Sequence, residues 1–497
     1  MGVSFYALTI RGVYGNPQAS EFKNNLDQAT KPFELSPERG RFAHIIALAE
    51  DGTYALSKEL GDAVYPDVGY YHGKFYSYFA PGISYLALPF YLLGREYNVS
   101  QVASFSFISL MSVFALIFLF RIAREILNMP VWASLSSVII FAFGSTAWGY
   151  ATTLYQHHVT TFFIISSFYA AWRYGKQSRF SWLWASFIWL NYGLAIFIDY
   201  PNAILMLPVM VYFLVLSIQM EKVKDKIKFS INSQIILTML VFVIISGLHA
   251  YHNQYNFGNW KQLSGGLLGY KTIQENKVFE SEHPEELIKN LQAEKNSKTF
   301  FSETKIPFGF YTLFASLDRG LLIYAPIFAL AFAGIFRIRK KIDLAYGMLL
   351  AIIGVNVFLY SSWSDPWGGW AYGPRYLIPS MAILSLFVGI FILSFKNKIW
   401  VKLLTFVFFM YSSSIALLGA LTTNAVPPKI EADFLGLKYN FLYNFDFFEA
   451  NRSSSFLYNT YFSGTLSLPE YFVLIWSALI LIMLALLFAF PKFDHED

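Results

Sequence analysis

Long apolar runs separated by short polar connections dominate this chain. About 20 apolar residues in a helix cross a ~30 Å hydrocarbon layer, and runs of that kind predict spans near 99–121, 131–150, 158–174, 180–198, 201–219, 232–250, 321–337, 343–361, 377–395, 400–421 and 469–490. A further apolar stretch, MGVSFYALTI at 1–10, is too short to cross. The runs are too continuous for the alternating strands of a barrel, so helices that satisfy their own backbone amides are the expected spanning form. The expected fold is an all-α polytopic membrane protein, a bundle of about 11–12 transmembrane helices with amphipathic juxtamembrane helices on its outer face. Longer polar segments at 11–98, 251–320 and 422–468 divide it. Residues 1–250 form an N-terminal transmembrane half with the first outer loop, 251–320 an outer loop, and 321–497 a C-terminal transmembrane half with the outer loop 422–468.

Orientation follows from the basic residues. They gather in alternate short connections: Arg121 and Arg124, then Arg173, Lys176 and Arg179, then Lys222 to Lys228, Arg337 to Lys341, and Lys396 to Lys402. The opposite short connections, near 151–157, 199–201 and 361–376, hold only Arg375. The first set is expected in the cytoplasm and the second outside, in an integral protein of the cell (inner) membrane whose site faces the outside or periplasm. Length alone would suggest about three soluble domains, but 56% hydrophobic and 14% charged residues exclude that reading. The net charge of +5 reflects the loop bias, and no basic stripe interleaved with exposed aromatics points to nucleic acid. The absence of cysteine removes disulfides, thiolate catalysis and zinc-thiolate sites. The stretch SGGLLGYKT, 264–272, lacks the Gly-Lys-Ser/Thr of a phosphate loop. The basic and small-residue parts of a cleavable signal peptide are both missing at the start.

Candidate chemistry lies in the connections expected outside. In KPFELSPERGRFAHIIALAEDGTYAL, 31–56, Ser36 can cap a helix, Pro37 suits its first turn, and Glu38 complements the positive dipole end. The spacing of Phe42, Ile45, Ile46 and Ala49 predicts a helix lying on the membrane surface. Residues 82–94 are too few to span and are expected to be interfacial. In TTLYQHHVTTF, Gln156, His157 and His158 stand at a helix mouth, where polar groups pair or face a ligand. Asp199 and the Asp318–Arg319 pair mark two further corners. The richest stretch is SSWSDPWGGWAYGPRYLIP, 361–379. There Asp365, Trp367, Trp370, Tyr372 and Arg375 suit a saccharide and phosphate pocket, because a guanidinium fork fits phosphate oxygens and flat indoles fit the C–H faces of sugars.

The order of these motifs resembles the GT-C superfamily of polytopic glycosyltransferases, which includes the protein O-mannosyltransferases and the aminoarabinose transferase of lipid A. ERGRFAHIIALAEDGTYAL, GKFYSYFAPGISYLALPFYLLG, LDRGLLIYAP and WGGWAYGPRYLIP carry the resemblance, the last most specifically. Where many relatives have Asp-Lys before Pro-Gly, this chain has Tyr78-Phe79-Ala80-Pro81-Gly82. The resemblance implies an inverting enzyme that moves a hexose or pentose from a polyprenyl-phosphate carrier to a hydroxyl of a glycan, lipid or protein on the outer face. It implies Glu38 as catalytic base with Arg41 beside it. It also implies that Arg375, with Arg319, Lys74 or His158, neutralises the carrier phosphate, and Tyr76 and His157 are candidate substrate contacts beside them. A divalent metal is left open as a cofactor, since Asp199, Asp318 and Asp365 all lie on the expected outer side. The other function class consistent with this topology is a transporter or flippase of lipid-linked sugars. The enzymatic reading requires Glu38 and Arg375 to converge on one site.

Overall fold

The computed structural model describes residues 2–22, 33–176, 179–223, 226–231, 233–294 and 301–490. Lys224 and Lys492 of the basic loops lie outside them. The protein is an all-α integral membrane protein. Among the described residues, seven helices are long and apolar enough to cross a membrane: Ser100–Ile126, Ser181–Ile198, Ile235–Phe257, Leu344–Ser361, Arg375–Ser394, Ile399–Leu421 and Leu468–Ala489. Shorter apolar helices fill Val131–Phe143, Asn202–Ser217 and Pro326–Ile338, and His157–Gly175 occupies the span expected at 158–174.

Several expected spans are shorter or broken, for local reasons. The run 131–150 stops at Phe143 because Gly144 follows, and Ala147–Tyr150 is a separate turn. The 321–337 run is cut at Pro326, whose ring excludes an amide donor, into Leu321–Tyr324 and a new helix that begins at the proline. The opening segment forms the short helix Gly2–Thr9.

The helix Ile378–Ser394 is the axis of the bundle, packing on Ala329–Ile338, Val131–Phe143, His157–Gly175 and Leu344–Ser361. Two glycines make this approach close. A Cβ on Gly334 would stand 2.0 Å from the Phe387 carbonyl, and one on Gly389 would stand 2.0 Å from the Ser137 hydroxyl. In lipid, small residues of this kind let backbones meet without a hydrophobic driving force. Ile235–Phe257 and Leu468–Ala489 lie at the periphery with most of their surface outward.

The first long polar segment folds on top of the bundle. Val68–Tyr71 and Lys74–Ser77 form an antiparallel hairpin, and Leu268–Gly269 adds to Val68–Tyr71, tying residues 251–320 to the first segment. His72 and Gly73, with φ of 45° and 81°, supply the tight two-residue turn. The helix Ser36–Ile46 does not lie on a surface: Pro37, Glu38 and Gly40 through Ile46 are buried. It is covered by the hairpin, since a Cβ on Gly40 would meet Ser77, and by Gly82–Glu96, where the Ser84 hydroxyl donates to the Arg41 carbonyl at 3.0 Å. Its cap also differs from expectation. Leu35 is the N-cap residue, and the Ser36 hydroxyl is spent on Asp67.

Candidate active site

The three connections that carry almost no basic residues meet at one end of the bundle. Gln156 donates to Asp199 at 3.3 Å, joining 151–157 to the corner at 199. The amide of Tyr372 donates to the Tyr150 hydroxyl at 2.8 Å, joining the same connection to 361–376. Arg41 threads the first polar segment into this junction. Its Nη1 donates to the carbonyls of Pro37 and Leu154, and its Nη2 to Gln156 Oε1 at 2.7 Å. The guanidinium also lies 4.8 Å from the centre of the Phe79 ring.

Glu38, one turn before Arg41, is 1% exposed, and its Oε1 has no hydrogen-bond partner. Burial pushes its carboxyl up to about 8, with the negative charge of Glu34 acting in the same direction and Arg11 opposing. Glu34 is itself held: it forms an ion pair with Arg11 and accepts the Asn424 amide at 2.8 Å. Arg11, 2% exposed, also donates to the Gly419 carbonyl at 2.6 Å.

Arg375 enters from the tryptophan-rich loop. Gly368, Gly369 and Gly373 have φ of 75°, 61° and 65°, a backbone region that glycine adopts without strain. The Arg375 Nη2 donates to the Gly368 carbonyl at 2.8 Å and the guanidinium bonds to Tyr376, while Nε and Nη1, shut off from water, are not saturated by this chain's carbonyls. Its charge sits 5.5 Å from the centre of the Tyr155 ring and 5.4 Å from that of Tyr376. Tyr155 is the link to Glu38. Burial raises its phenol, the charge of Glu38 raises it further, and Arg375 lowers it. His157 stacks near Tyr155 at 6.0 Å, with a buried, unpartnered Nε2. Asp199, pushed up to about 6 by burial and lowered by Arg41, completes the cluster. Glu38, Arg41, His157 and Arg375 are thus brought together, around Tyr155.

The other expected residues are engaged elsewhere. Arg319 is fully buried, with Nε donating to the Trp367 carbonyl at 3.3 Å, Nη1 to Asp318 Oδ1 at 2.9 Å, and Nη2 to the carbonyls of Gly369 and Val426. It staples the loop and has no donor nitrogen left over. His158 bonds the Ala147 carbonyl at 2.7 Å and faces Phe141, because the adjacent histidine turns about 100° away from His157. Tyr372 donates to the Ile415 carbonyl and packs on Gly419. Trp367 packs edge-on to Phe308, and Trp370 donates to Glu431, so both indoles hold the rim of the loop. Tyr76 donates to the Asn256 carbonyl in a separate aromatic cluster. Lys74 is exposed at the hairpin. Asp365 accepts the Gly368 amide at 3.1 Å, supporting the turn that presents Arg375.

The cluster also contains residues that sequence reasoning passed over. Tyr155 was one of 33 tyrosines with no distinguishing pattern. Arg11 did carry a signal, since a lone cation directly after an apolar run must be paired once the chain folds over it. Among the described residues no three His, Asp or Glu side chains gather as a metal site. Asp199, Asp318 and Asp365 serve Gln156, Arg319 and the Gly368 turn separately, which does not fit a shared divalent ion.

No family model matches the chain, and no curated protein is similar to it. Among solved structures, the chain is similar to ArnT from Cupriavidus metallidurans bound to undecaprenyl phosphate, with 13% identity, a TM-score of 0.48, and coverage of 98% of this chain and 75% of that one. The apo state of that protein gives a TM-score of 0.47. The archaeal oligosaccharyltransferase AglB from Archaeoglobus fulgidus, in complex with an inhibitory peptide and a dolichol-phosphate, is 12% identical over 87% of this chain and 57% of that one, with a TM-score of 0.42.

Proposed function

We propose that this protein is a membrane-embedded, inverting glycosyltransferase that takes a sugar from a polyprenyl-phosphate carrier and passes it to an acceptor hydroxyl on the outer face of the cell membrane. The observation that carries this reading is the pairing, around Tyr155, of a buried carboxyl with a free oxygen and a guanidinium with two nitrogens that this chain's carbonyls leave unsaturated. Glu38 as carboxylate takes the proton of the acceptor hydroxyl. The acceptor oxygen then bonds to the anomeric carbon as the bond from that carbon to the carrier phosphate breaks. The electron pair leaves on the phosphate, where Arg375 balances the charge and Arg41 adds to the field. A base with a proton affinity near neutrality is suited to this step, and Glu38 at about 8 has it.

The outer-face placement is supported by distance along one helix. His157 begins His157–Gly175 and Arg173 lies in its last turn, so the cluster and the basic connection are separated by roughly 24 Å of helix.

The test is transfer of radiolabelled sugar from a panel of polyprenyl-phosphate sugars, with the protein in proteoliposomes and Glu38→Gln in parallel. Wild-type protein is expected to form new glycosidic bonds, and the variant is expected to form none while remaining folded. Full transfer by Glu38→Gln would refute the base. Movement of lipid-linked sugar across the vesicle without any new bond would replace the enzyme with a flippase.

A further inference from the structure

Next to the charged cluster lies a second one, uncharged and built from tyrosine and histidine. Tyr54, 2% exposed, is sandwiched: the His44 ring stacks on it at 3.8 Å, and Tyr85 lies nearly parallel at 5.9 Å. His252 meets Tyr54 edge-on at 4.6 Å and Tyr85 at 5.6 Å. The patch continues through Phe197 to His249, whose ring lies parallel to Tyr200 at 6.1 Å. Within it the Tyr54 hydroxyl, the His252 Nε2 and the His249 Nε2 are all shut off from water without a partner. Leaving one such group unpaired is costly, and three in one contiguous patch point to a ligand that supplies the partners.

The chemistry of the patch narrows the ligand. His44 has both nitrogens used, Nδ1 on the Tyr54 carbonyl at 2.8 Å and Nε2 accepting the Ser77 amide at 3.0 Å, and burial pushes it down to about 3, so it is a neutral brace. The His252 Nδ1 faces two donors, the Tyr85 hydroxyl at 3.2 Å and the Asn256 amide nitrogen at 3.3 Å. It therefore accepts, which leaves the proton on Nε2 as a free donor. The rings and neutral donors named here include no carboxylate and no cation, so the patch suits neither a phosphate nor a carboxylate. Flat rings beside one unpaired hydroxyl and two unpaired imidazole nitrogens suit a neutral polyhydroxyl ring.

Two elements serve both clusters. The helix Ser36–Ile46 presents Glu38 and Arg41 to the charged one and His44 to the neutral one, and the corner at 199–200 presents Asp199 and Tyr200 likewise. We propose that the Tyr54–His252–His249 patch is a sugar-recognition subsite beside the phosphate-binding cluster. This deepens the function proposed above and rests on it for the identity of the neighbouring charged site.

The experiment is a histidine footprint. The full chain in lipid nanodiscs is held in deuterated buffer for days, and the slow hydrogen–deuterium exchange at the imidazole C2 of His249 and His252, which reaches buried rings through transient opening, is the modification followed by peptide mass spectrometry. The probes are methyl glycosides of a hexose, a pentose and an N-acetylhexosamine, with inorganic phosphate and undecaprenyl phosphate as controls. At least one glycoside is expected to slow modification of both histidines about tenfold at ten times its half-saturating concentration. Tyr54→Phe, which keeps the ring stack, is expected to raise that concentration about 3–10-fold. The proposal is overturned if no glycoside protects, if the phosphates protect equally well, or if Tyr54→Phe changes nothing. The footprint needs no turnover, so protection by a glycoside in a Glu38→Gln protein that still transfers sugar would leave this subsite standing while removing the base.

Discussion

Arg319, fully buried, and Arg375, half-buried, come from neighbouring motifs and were both expected on the carrier phosphate, yet the fold gives them opposite states. Every nitrogen of the Arg319 guanidinium donates to this chain, three of its acceptors being carbonyls of the loops at 367–369 and 426. Arg375 donates through Nη2 to Gly368 and bonds to Tyr376, and its Nε and Nη1, shut off from water beside Tyr155, are not saturated by this chain's carbonyls. A saturated fork is a staple, and one with open donors is a receptor. The same division separates Glu38, which has a free oxygen, from Asp318, which is shared between Arg319 and the Lys429 amide.

The largest effect expected from breaking this contrast is at Glu38. Glu38→Gln should lower the rate of sugar transfer by about 10²–10⁴-fold, the usual share of a general base, with the thermal midpoint in detergent not reduced. Next come the two arginines, whose readouts should cross. Arg375→Gln should cost about 10²–10³ in kcat, as loss of a donor to a developing anion does, while the unfolding midpoint stays near that of the wild type. Arg319→Gln should lose about 3–5 kcal/mol of stability, because it strands Asp318, the buried Val426 carbonyl and the half-buried carbonyls of Trp367 and Gly369. Its residual folded fraction should turn over at nearly the native rate. If Arg375→Gln unfolds and Arg319→Gln folds but fails to transfer, the receptor and the staple have been assigned the wrong way round.

A smaller effect sharpens the same distinction through pH. The working form of Glu38 is its carboxylate, and burial holds its pKa at about 8 against an ordinary 4.5. Transfer is therefore expected to fall about tenfold per unit as pH drops below 8. Stability should run the other way. A raised folded pKa favours the protonated form in the folded state, so this contribution is complete below 4.5 and is lost as pH rises through about 8. Asp199, pushed up to about 6, adds a contribution of the same sign over a lower range. Glu38→Gln cannot ionise, so its midpoint relative to wild type should be higher at pH 8.5 than at pH 5. Equal differences at the two pH values would show that Glu38 titrates normally.

How much of this was legible in the sequence depended on range. The seven long helices were read directly, because hydropathy over 20 residues is a local property. The interruptions of the other runs, 131–150 at Gly144 and 321–337 at Pro326, were missed, although both residues are strong breakers, because the surrounding apolar run masked them. That the outer connections share one end of the bundle was legible as a consequence of topology, and Glu38 and Arg375 each act on Tyr155 there. What was not legible was the saturation state of each polar group. Trp367, Trp370 and Tyr372 looked like a sugar platform, but their partners are Phe308, Glu431 and Ile415, and no periodicity in the loop specifies those contacts. Burial of the helix Ser36–Ile46 was likewise hidden, since its cover comes from a hairpin 30 residues later and from Gly82–Glu96.

The smallest expected effect concerns Lys74, which the sequence placed with the phosphate-binding residues. A lysine can follow a phosphate as a point charge on a flexible stem, so exposure alone does not dismiss it. Its position is more telling. Lys74 pairs with Tyr71 at the turn end of the hairpin, next to His72 and Gly73, whereas the strand's other end, at Ser77, is the one packed on Gly40 and His44. Reaching the cluster from the turn would require the side chain to pass back along the length of its own strand, three residues or about 10 Å. Lys74→Ala should therefore change both transfer and stability by no more than an exposed substitution does, within about 0.5 kcal/mol or roughly twofold. A tenfold loss of kcat/KM with kcat unchanged would show that the hairpin folds down over the carrier in the working complex, and Lys74 would then join Arg375 among the open donors.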